Sequence, residues 1–159
     1  MDIQYRKATP FDAASLAELR WEFHYGTRSG PTAVSFSEFQ NIFTEYISQS
    51  IESGEWMVWV AELSGEIIAH IYLHVFRKLP NPYAIEKYLG YISNVYTWPS
   101  YRSSGIGAAL MEHVKDWVKK QGQMDVLFLW RSDESEAFYL RHGFSPNNFF
   151  MEFEVPSES

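Results

Sequence analysis

At 159 residues, 46% of them apolar and 18% aromatic, the chain is long enough to bury one substantial core and too apolar to stay disordered. It has no cysteine, which excludes a disulfide framework, a zinc ribbon and a cysteine nucleophile. A formal net charge of -7 argues against general nucleic-acid binding, which needs a basic footprint, and suits a cationic partner such as an amine.

Residues 3–8 read as a short opening strand. Thr9-Pro10-Phe11-Asp12 punctuates it, with Asp12 the expected N-cap of a helix over residues 13–24 that offers Leu16, Leu19, Trp21 and Phe23 as apolar surface. A loop over 26–31 leads to a second helix from Ser37, with Phe39, Ile42, Phe43, Tyr46, Ile47 and Ile51 at helical spacing and Gly54 at its end. Residues 55–63 and 66–76 form a hairpin joined by Ser64-Gly65. Simple alternation puts Ile67, Ala69, Ile71, Leu73 and Val75 on one face of its second strand and Ile68, His70, Tyr72, His74 and Phe76 on the other. His70 and His74 are not a metal pair: four strand residues separate them by roughly 13 Å.

A loop over 79–88 containing Pro80 and Pro82 precedes a strand over 89–97. The helix expected over 105–121 buries Ile106, Leu110, Val114, Trp117 and Val118 and turns Glu112, Lys115, Asp116, Lys119 and Lys120 to water, with Gly122 as C-cap. Residues 126–130 are a wholly apolar strand, the pattern of a strand covered on both faces. A short helix over 134–142, a closing strand over 149–155 and a polar tail complete the chain. The pattern by itself gives a mixed α/β class. With no leading basic and apolar segment and no apolar run of membrane-spanning length, one cytoplasmic domain over 1–159, off the membrane, is expected.

The most informative stretch is Tyr96-Thr97-Trp98-Pro99-Ser100-Tyr101-Arg102-Ser103-Ser104-Gly105-Ile106-Gly107. It carries a strand through a turn into a helix start rich in glycine and serine. The N–H groups of such a start lack intrahelical partners, and glycine lets an anion approach the backbone. A purely geometric use of the glycines is the alternative. A Walker loop fails, because Ala108-Ala109 follow Gly107 where Lys-Ser or Lys-Thr is needed. A dinucleotide fingerprint fails at Leu110, where a third glycine belongs.

Arg102-Ser103-Ser104-Gly105-Ile106-Gly107, with Pro99 before it and Leu110-Met111 after, resembles the coenzyme A loop of the GCN5-related N-acetyltransferase (GNAT) superfamily. Phe138-Tyr139-Leu140-Arg141-His142-Gly143-Phe144 resembles a second signature of that superfamily, at an interval that leaves room for one helix and one strand. The resemblance extends over essentially the whole chain. It implies an α/β (α+β) acyl-CoA N-acyltransferase fold: a mixed, mostly antiparallel sheet flanked by helices.

The same resemblance implies transfer of an acetyl group from acetyl-CoA to a primary amine, with no metal and no covalent enzyme intermediate. It gives Tyr139 the part of the acid beside the thioester sulfur. It gives the backbone of Val95 and Thr97 the pairing with the pantetheine amides, with Tyr96 between them in less direct contact. The cofactor phosphates fall to Arg102 and to backbone N–H groups of Ser103, Ser104, Gly105, Ile106, Gly107 and Ala108. Many relatives carry Asn and Ala where this chain has Ser132 and Ser135, and the carry-over gives Ser132 a hydrogen bond to the cofactor. No base is assigned: Glu22, His24, His74, Glu86 or a water relay could serve, and Asn94 can only orient. Trp21, Phe23, Tyr25, Tyr72 and Tyr83 are candidates for an acceptor pocket or for core packing alone. The acceptor is expected to be a small molecule, with a protein N-terminus or lysine as the alternative. A non-catalytic acyl-CoA sensor and a nucleotide-binding module are the other readings. Dimers are common in the superfamily, so a homodimer is compatible, although no feature of the sequence marks an interface.

Overall fold

Among the described residues, five strands and four α-helices succeed one another as β1 (Ile3–Lys7), α1 (Ala13–Thr27), α2 (Phe36–Ser53), β2 (Trp56–Leu63), β3 (Glu66–Arg77), β4 (Tyr88–Thr97), α3 (Ile106–Gln121), β5 (Met124–Phe128) and α4 (Glu136–Arg141). The computed structural model describes residues 2–147 and 151–154. The strands form one sheet in chain order. The first four are antiparallel to their neighbours, and β5 joins β4 in parallel after a crossover through α3. This is the mixed, mostly antiparallel sheet with flanking helices that the sequence leads one to expect.

Alternation along β2 divides the core. Val58 and Val60 face α1 and α2, where Leu16, Leu19, Phe43 and Ile47 are buried. Trp59 and Ala61 face α3, where Ile106, Leu110, Met111 and Val114 are buried. Each helix is thus held by an apolar stripe rather than by propensity alone. The turn between β2 and β3 has positive φ at both Ser64 (53°) and Gly65 (87°), the two-residue type I′ geometry whose twist matches the strands it joins.

Local signals explain several element ends. Ser35 and Glu38 form a reciprocal capping box on α2: the Glu38 N–H donates to Ser35 Oγ at 3.3 Å and the Ser35 N–H to the Glu38 carboxylate at 2.9 Å. Asp12, by contrast, does not cap α1. Its carboxylate accepts from the Thr9 N–H at 2.7 Å and from both terminal nitrogens of Arg6 at 2.8 Å, closing a 3-10 turn over Pro10–Asp12. Arg6 also reaches Glu62. Helix α1 continues past its expected end because Thr27 Oγ1 donates to the Phe23 carbonyl at 2.7 Å. Lys115 is turned inward: its Nζ donates to the His142 carbonyl at 2.8 Å and ties α3 to the end of α4.

Two irregularities depart from simple alternation. On β3, Ile67 pairs with Glu62 but Ala69 with Ala61, so Ile68 is an extra residue. This bulge puts Ile67 in the α1/α2 core and Ile68 in the α3 core, the reverse of the expected assignment. On β4 a second irregularity falls between Tyr96 (opposite His70) and Ser93 (opposite Tyr72), at Asn94.

Strand β5 starts at Met124, two residues earlier than expected, and is over by Trp130. It is the outermost strand among the described residues, and Val126 is 45% exposed rather than covered on both faces. Of the expected closing strand over 149–155, residues 149, 150 and 155 lie outside the described residues, as does the tail over 156–159, and Met151–Glu154 has no regular structure.

Candidate active site

Strands β4 and β5 pair only from Tyr88–Met124 to Tyr91–Phe128. Past Tyr91, β4 keeps β3 on one side and has no described strand on the other, so its backbone edge from Ile92 to Thr97 is free to take up an extended ligand. Three residues past the last pair stands Asn94, whose φ of 51° lies in the left-handed region that asparagine tolerates better than most residues. The residue is 8% exposed, and among the described residues neither side-chain amide atom has a hydrogen-bond partner.

Thr97 leads through a 3-10 turn at Pro99–Tyr101 to the start of α3. There Ser103 has φ 60° and Gly105 φ 81°. The Gly105 conformation is strained for any side chain, yet a Cβ there meets nothing within 4 Å, so the space in front of it is open. Gly107 is different: a Cβ would rest in ordinary contact with Thr97 Oγ1 at 3.5 Å and Phe138. The Ala109 N–H makes the first bond of α3, to the Gly105 carbonyl at 2.9 Å. From Ser103 to Ala108 the N–H groups have no backbone acceptor among the described residues, which leaves a row of donors at the positive end of a sixteen-residue helix. Such a row suits a pyrophosphate.

Side chains brace this turn. Ser104 Oγ donates to the Tyr101 carbonyl. Arg102 Nε donates to the Thr97 carbonyl at 3.1 Å, and its guanidinium lies 5.5 Å from the Tyr96 ring centroid. Arg102 is therefore tied back to β4. Tyr96 points into the α1/α2 core against Phe23 and His70, while Val95 packs toward α3 and Ile106 is buried there.

Tyr139, on α4, stands between Phe138 and Phe144, with ring centroids at 5.3 and 5.7 Å. Burial, assisted by the nearby Tyr91 phenol, pushes its pKa up to about 12. The group is therefore a protonated donor near neutral pH. Tyr139 also borders a cleft of about 980 Å3 along β5, α3 and α4. Ser132 is exposed and occupied locally: its N–H donates to Ser135 Oγ at 3.1 Å, and Ser135 Oγ donates back to its carbonyl.

A second cavity, of about 540 Å3, lies between α1, α2 and the sheet. Its polar wall is Arg20, Tyr72, Ser93 and Asn94, and its aromatic wall is Phe39, Phe43, Tyr46, Trp56 and Tyr91. Tyr91 links it to the Tyr139 region, since the same ring stands against Phe128 and Trp130. Of the five aromatic residues singled out from sequence, only Tyr72 lines this cavity. Trp21 packs on Phe36 and Phe39, Phe23 on Tyr96, and Tyr25 on Trp21, while Tyr83 is 99% exposed. Arg20, Trp56 and the α2 residues were not singled out, although the apolar spacing of α2 was the available signal.

The base candidates are scattered. Glu22 is exposed on α1. His24 is half-buried and held below its ordinary pKa by burial and by Arg20 and Arg28. His74 packs between Trp56 and Phe76. Glu86 lies before β4, at the end remote from Asn94, where it accepts from Tyr88 and Gln123. His70 is fully buried, and burial with Arg20 nearby brings its pKa down to about 3, so it is neutral near pH 7. Among the described residues no group of three or more His, Asp or Glu could hold a metal ion, and no helix is long and apolar enough to cross a membrane.

Residues 13–144 match the model of the Acetyltransferase (GNAT) family. Three solved structures are similar over nearly their whole length. A predicted acetyltransferase with acetyl-CoA from Clostridium acetobutylicum has TM-score 0.79 and 23% identity, covering 96% of each chain. A GCN5-related N-acetyltransferase from Ralstonia eutropha JMP134 has TM-score 0.76 and 26% identity, covering 98% of each. A glucosamine-6-phosphate N-acetyltransferase from Arabidopsis thaliana has TM-score 0.69 and 21% identity, covering 98% of this chain and 100% of that one. No curated protein matches the sequence.

Proposed function

The chain belongs to the Acetyltransferase (GNAT) family and is an acetyl-CoA-dependent acetyltransferase, and we propose that it acetylates a primary amine of a small molecule by direct transfer. The observation that carries this reading is the junction of three features: the free β4 edge, the row of unpaired N–H groups before Ala109, and an aromatic cavity meeting them at Tyr91. A cavity walled by α1 and α2 favours a small acceptor over a protein terminus. The glucosamine-6-phosphate enzyme, similar in fold, acts on an amine of that size.

Acetyl-CoA supplies an activated thioester. The N–H groups from Ser103 to Ala108 hold its pyrophosphate, with Gly105 leaving room for the approach. The backbone of Val95 and Thr97 pairs with the pantetheine amides, which extends the sheet by one strand-like ligand. Tyr96 and Arg102 hold the loop in place between them. The amine nitrogen bonds to the thioester carbon and the C–S bond breaks. The nitrogen releases its surplus proton to water, Tyr139 donates its proton to the departing thiolate, and solvent restores the phenol, which its raised pKa keeps protonated. Ser132 serves by capping the turn before α4. Among the described residues no carboxylate lines the acceptor cavity, so the amine loses its proton to water, and its free base enters. The whole chain, residues 1–159, acts as one domain in the cytoplasm on this reading, and no metal takes part.

Titration of acetyl-CoA by calorimetry tests the reading. Saturable one-to-one binding is expected, abolished in Gly105→Glu by charge and bulk in the donor row. Gly105→Ala, which carries the backbone strain without the charge, retains binding. A folded wild type that does not bind acetyl-CoA refutes the transferase reading.

A further inference from the structure

Arg20 lines the acceptor cavity without an acidic partner. Among the described residues its guanidinium joins no ion pair; it stands 5.6 Å from the Phe43 ring centroid, and its charge neighbours are the phenols of Tyr72, Tyr91 and Tyr46. Arg6 shows the usual solution, with carboxylates of Asp12 and Glu62 at 2.8 and 2.6 Å. Arg20 is half-buried, and taking a lone cation even partly out of water is unfavourable unless something pairs with it. Two further polar groups end in the same space unpartnered, each on a residue more than nine-tenths buried: the Tyr72 hydroxyl, at 4% exposure, and the Asn94 amide, at 8%. Buried polar groups ordinarily have partners. A guanidinium fork, a hydroxyl and an amide N–H are together the donor set that an anionic oxygen group requires. Among the described residues no Asp or Glu lines the cavity.

We propose that the acceptor carries an anionic oxyacid group, a carboxylate or a phosphate, which Arg20 receives with Tyr72 and Asn94, while an apolar body lies against Phe43 and Trp56. The inference rests on the transferase reading, because it names the acceptor class of that same site. Tyr91 closes the β4–β5 pairing and Asn94 follows three residues later on the same cavity wall, so an acceptor anchored by its acid group at Arg20 and Asn94 directs its amine toward the Tyr91 and Tyr139 side of the cavity. Polyamines and other polycations are disfavoured, because Arg20 repels them and no carboxylate receives them.

The test is equilibrium binding without acetyl-CoA, by calorimetry or by quenching of tryptophan fluorescence. A set of α-amino acids with side chains from alanine to tryptophan is titrated, each against its own amide. Phosphoethanolamine is compared with ethanolamine, and spermidine is included. At least one anionic member is expected to bind about tenfold or more tightly than its neutral analogue, the worth of a charged hydrogen bond. The pair that shows the preference tells carboxylate from phosphate. Arg20→Gln brings the ratio close to one, Arg20→Lys keeps part of it, and both variants bind acetyl-CoA as wild type does. Absence of binding by every anionic member, absence of charge preference in wild type, tighter binding of spermidine, or a ratio unchanged in Arg20→Gln overturns the proposal. Because these titrations contain no acetyl-CoA, the anion site and the transferase reading fail separately.

Discussion

Gly90 is the point of closest approach between β4 and its neighbours. A Cβ built there falls 2.5 Å from Leu127 Cδ2, 2.8 Å from Met124 Sδ and 3.0 Å from Leu73 Cδ1. Each atom ends a flexible side chain, so no one contact is prohibitive, but all three must yield together in a buried part of the sheet. Overpacking of this kind costs about 1–3 kcal/mol. Its φ is not in the left-handed region, so alanine returns about 0.4–1 kcal/mol by restricting the unfolded chain. Gly90→Ala is therefore expected to destabilise by up to about 2.6 kcal/mol, and to lower the midpoint of thermal unfolding by up to about 10 °C for a domain of this size. Urea denaturation at fixed pH measures the same quantity through its midpoint. Leu127→Val in the same chain shortens the nearest obstruction, so the double variant should lose less than the sum of the two single variants. A Gly90→Ala protein as stable as wild type, with strictly additive behaviour toward Leu127→Val, refutes the claim that this space is closed.

Tyr139→Phe should lower kcat by about 10²- to 10⁴-fold, the usual range for loss of a positioned acid, with little change in acetyl-CoA affinity by calorimetry. Because burial holds the Tyr139 pKa up at about 12, kcat/KM should keep rising toward the pKa of the acceptor amine and shift with that amine; an enzyme-borne limb near pH 6–7 that ignores the amine contradicts the solvent route for its proton. The Arg6 hydrogen bonds hold Asp12 below its ordinary pKa. Its contribution is therefore complete above about pH 4, the unfolded value, and disappears as the pH falls through the lower folded value. Asp12→Asn should flatten the acid side of a plot of urea midpoint against pH, and an unchanged slope below pH 4 argues against the clamp. Leu110→Ala, at a fully buried position facing the sheet, should cost about 2–5 kcal/mol in the same assay.

The elements that were legible in the sequence carry their own local chemistry. Ser64-Gly65 announces its turn, the apolar spacing of α2 and α3 announces their stripes, and the glycine and serine run after Tyr101 announces a helix start whose N–H groups lack backbone acceptors among the described residues. What was hidden depends on partners. Ile67 and Ile68 are chemically equivalent, so nothing in the sequence tells which enters which core; the register with β2 decides it. Asn94 reads as an ordinary polar strand residue until the β3 register leaves it in a left-handed bulge. Arg20 lies next to Trp21 and three residues before Phe23 on a helix, and on a helix an arginine is usually solvated. Only the arrival of α2 and β4 encloses it. The aromatic residues of α2 show in the sequence only their helical spacing, for the same reason: a cavity wall and a packed face share it.

The tight turn between β2 and β3 has a consequence for the order of assembly. Its backbone closes with two residues, whereas β1 must reach β2 across both α1 and α2, and β5 must reach β4 across α3. Loop closure becomes more costly with length, and non-local pairing slows folding. The β2–β3 hairpin is thus the natural first contact, with β4 next and the two outer strands last. On a ribosome, the first strand synthesised waits for the hairpin that will receive it, and the parallel strand docks only after α3 has emerged. Backbone amides in β2 and β3 should accordingly exchange with solvent last, and those of β5 early.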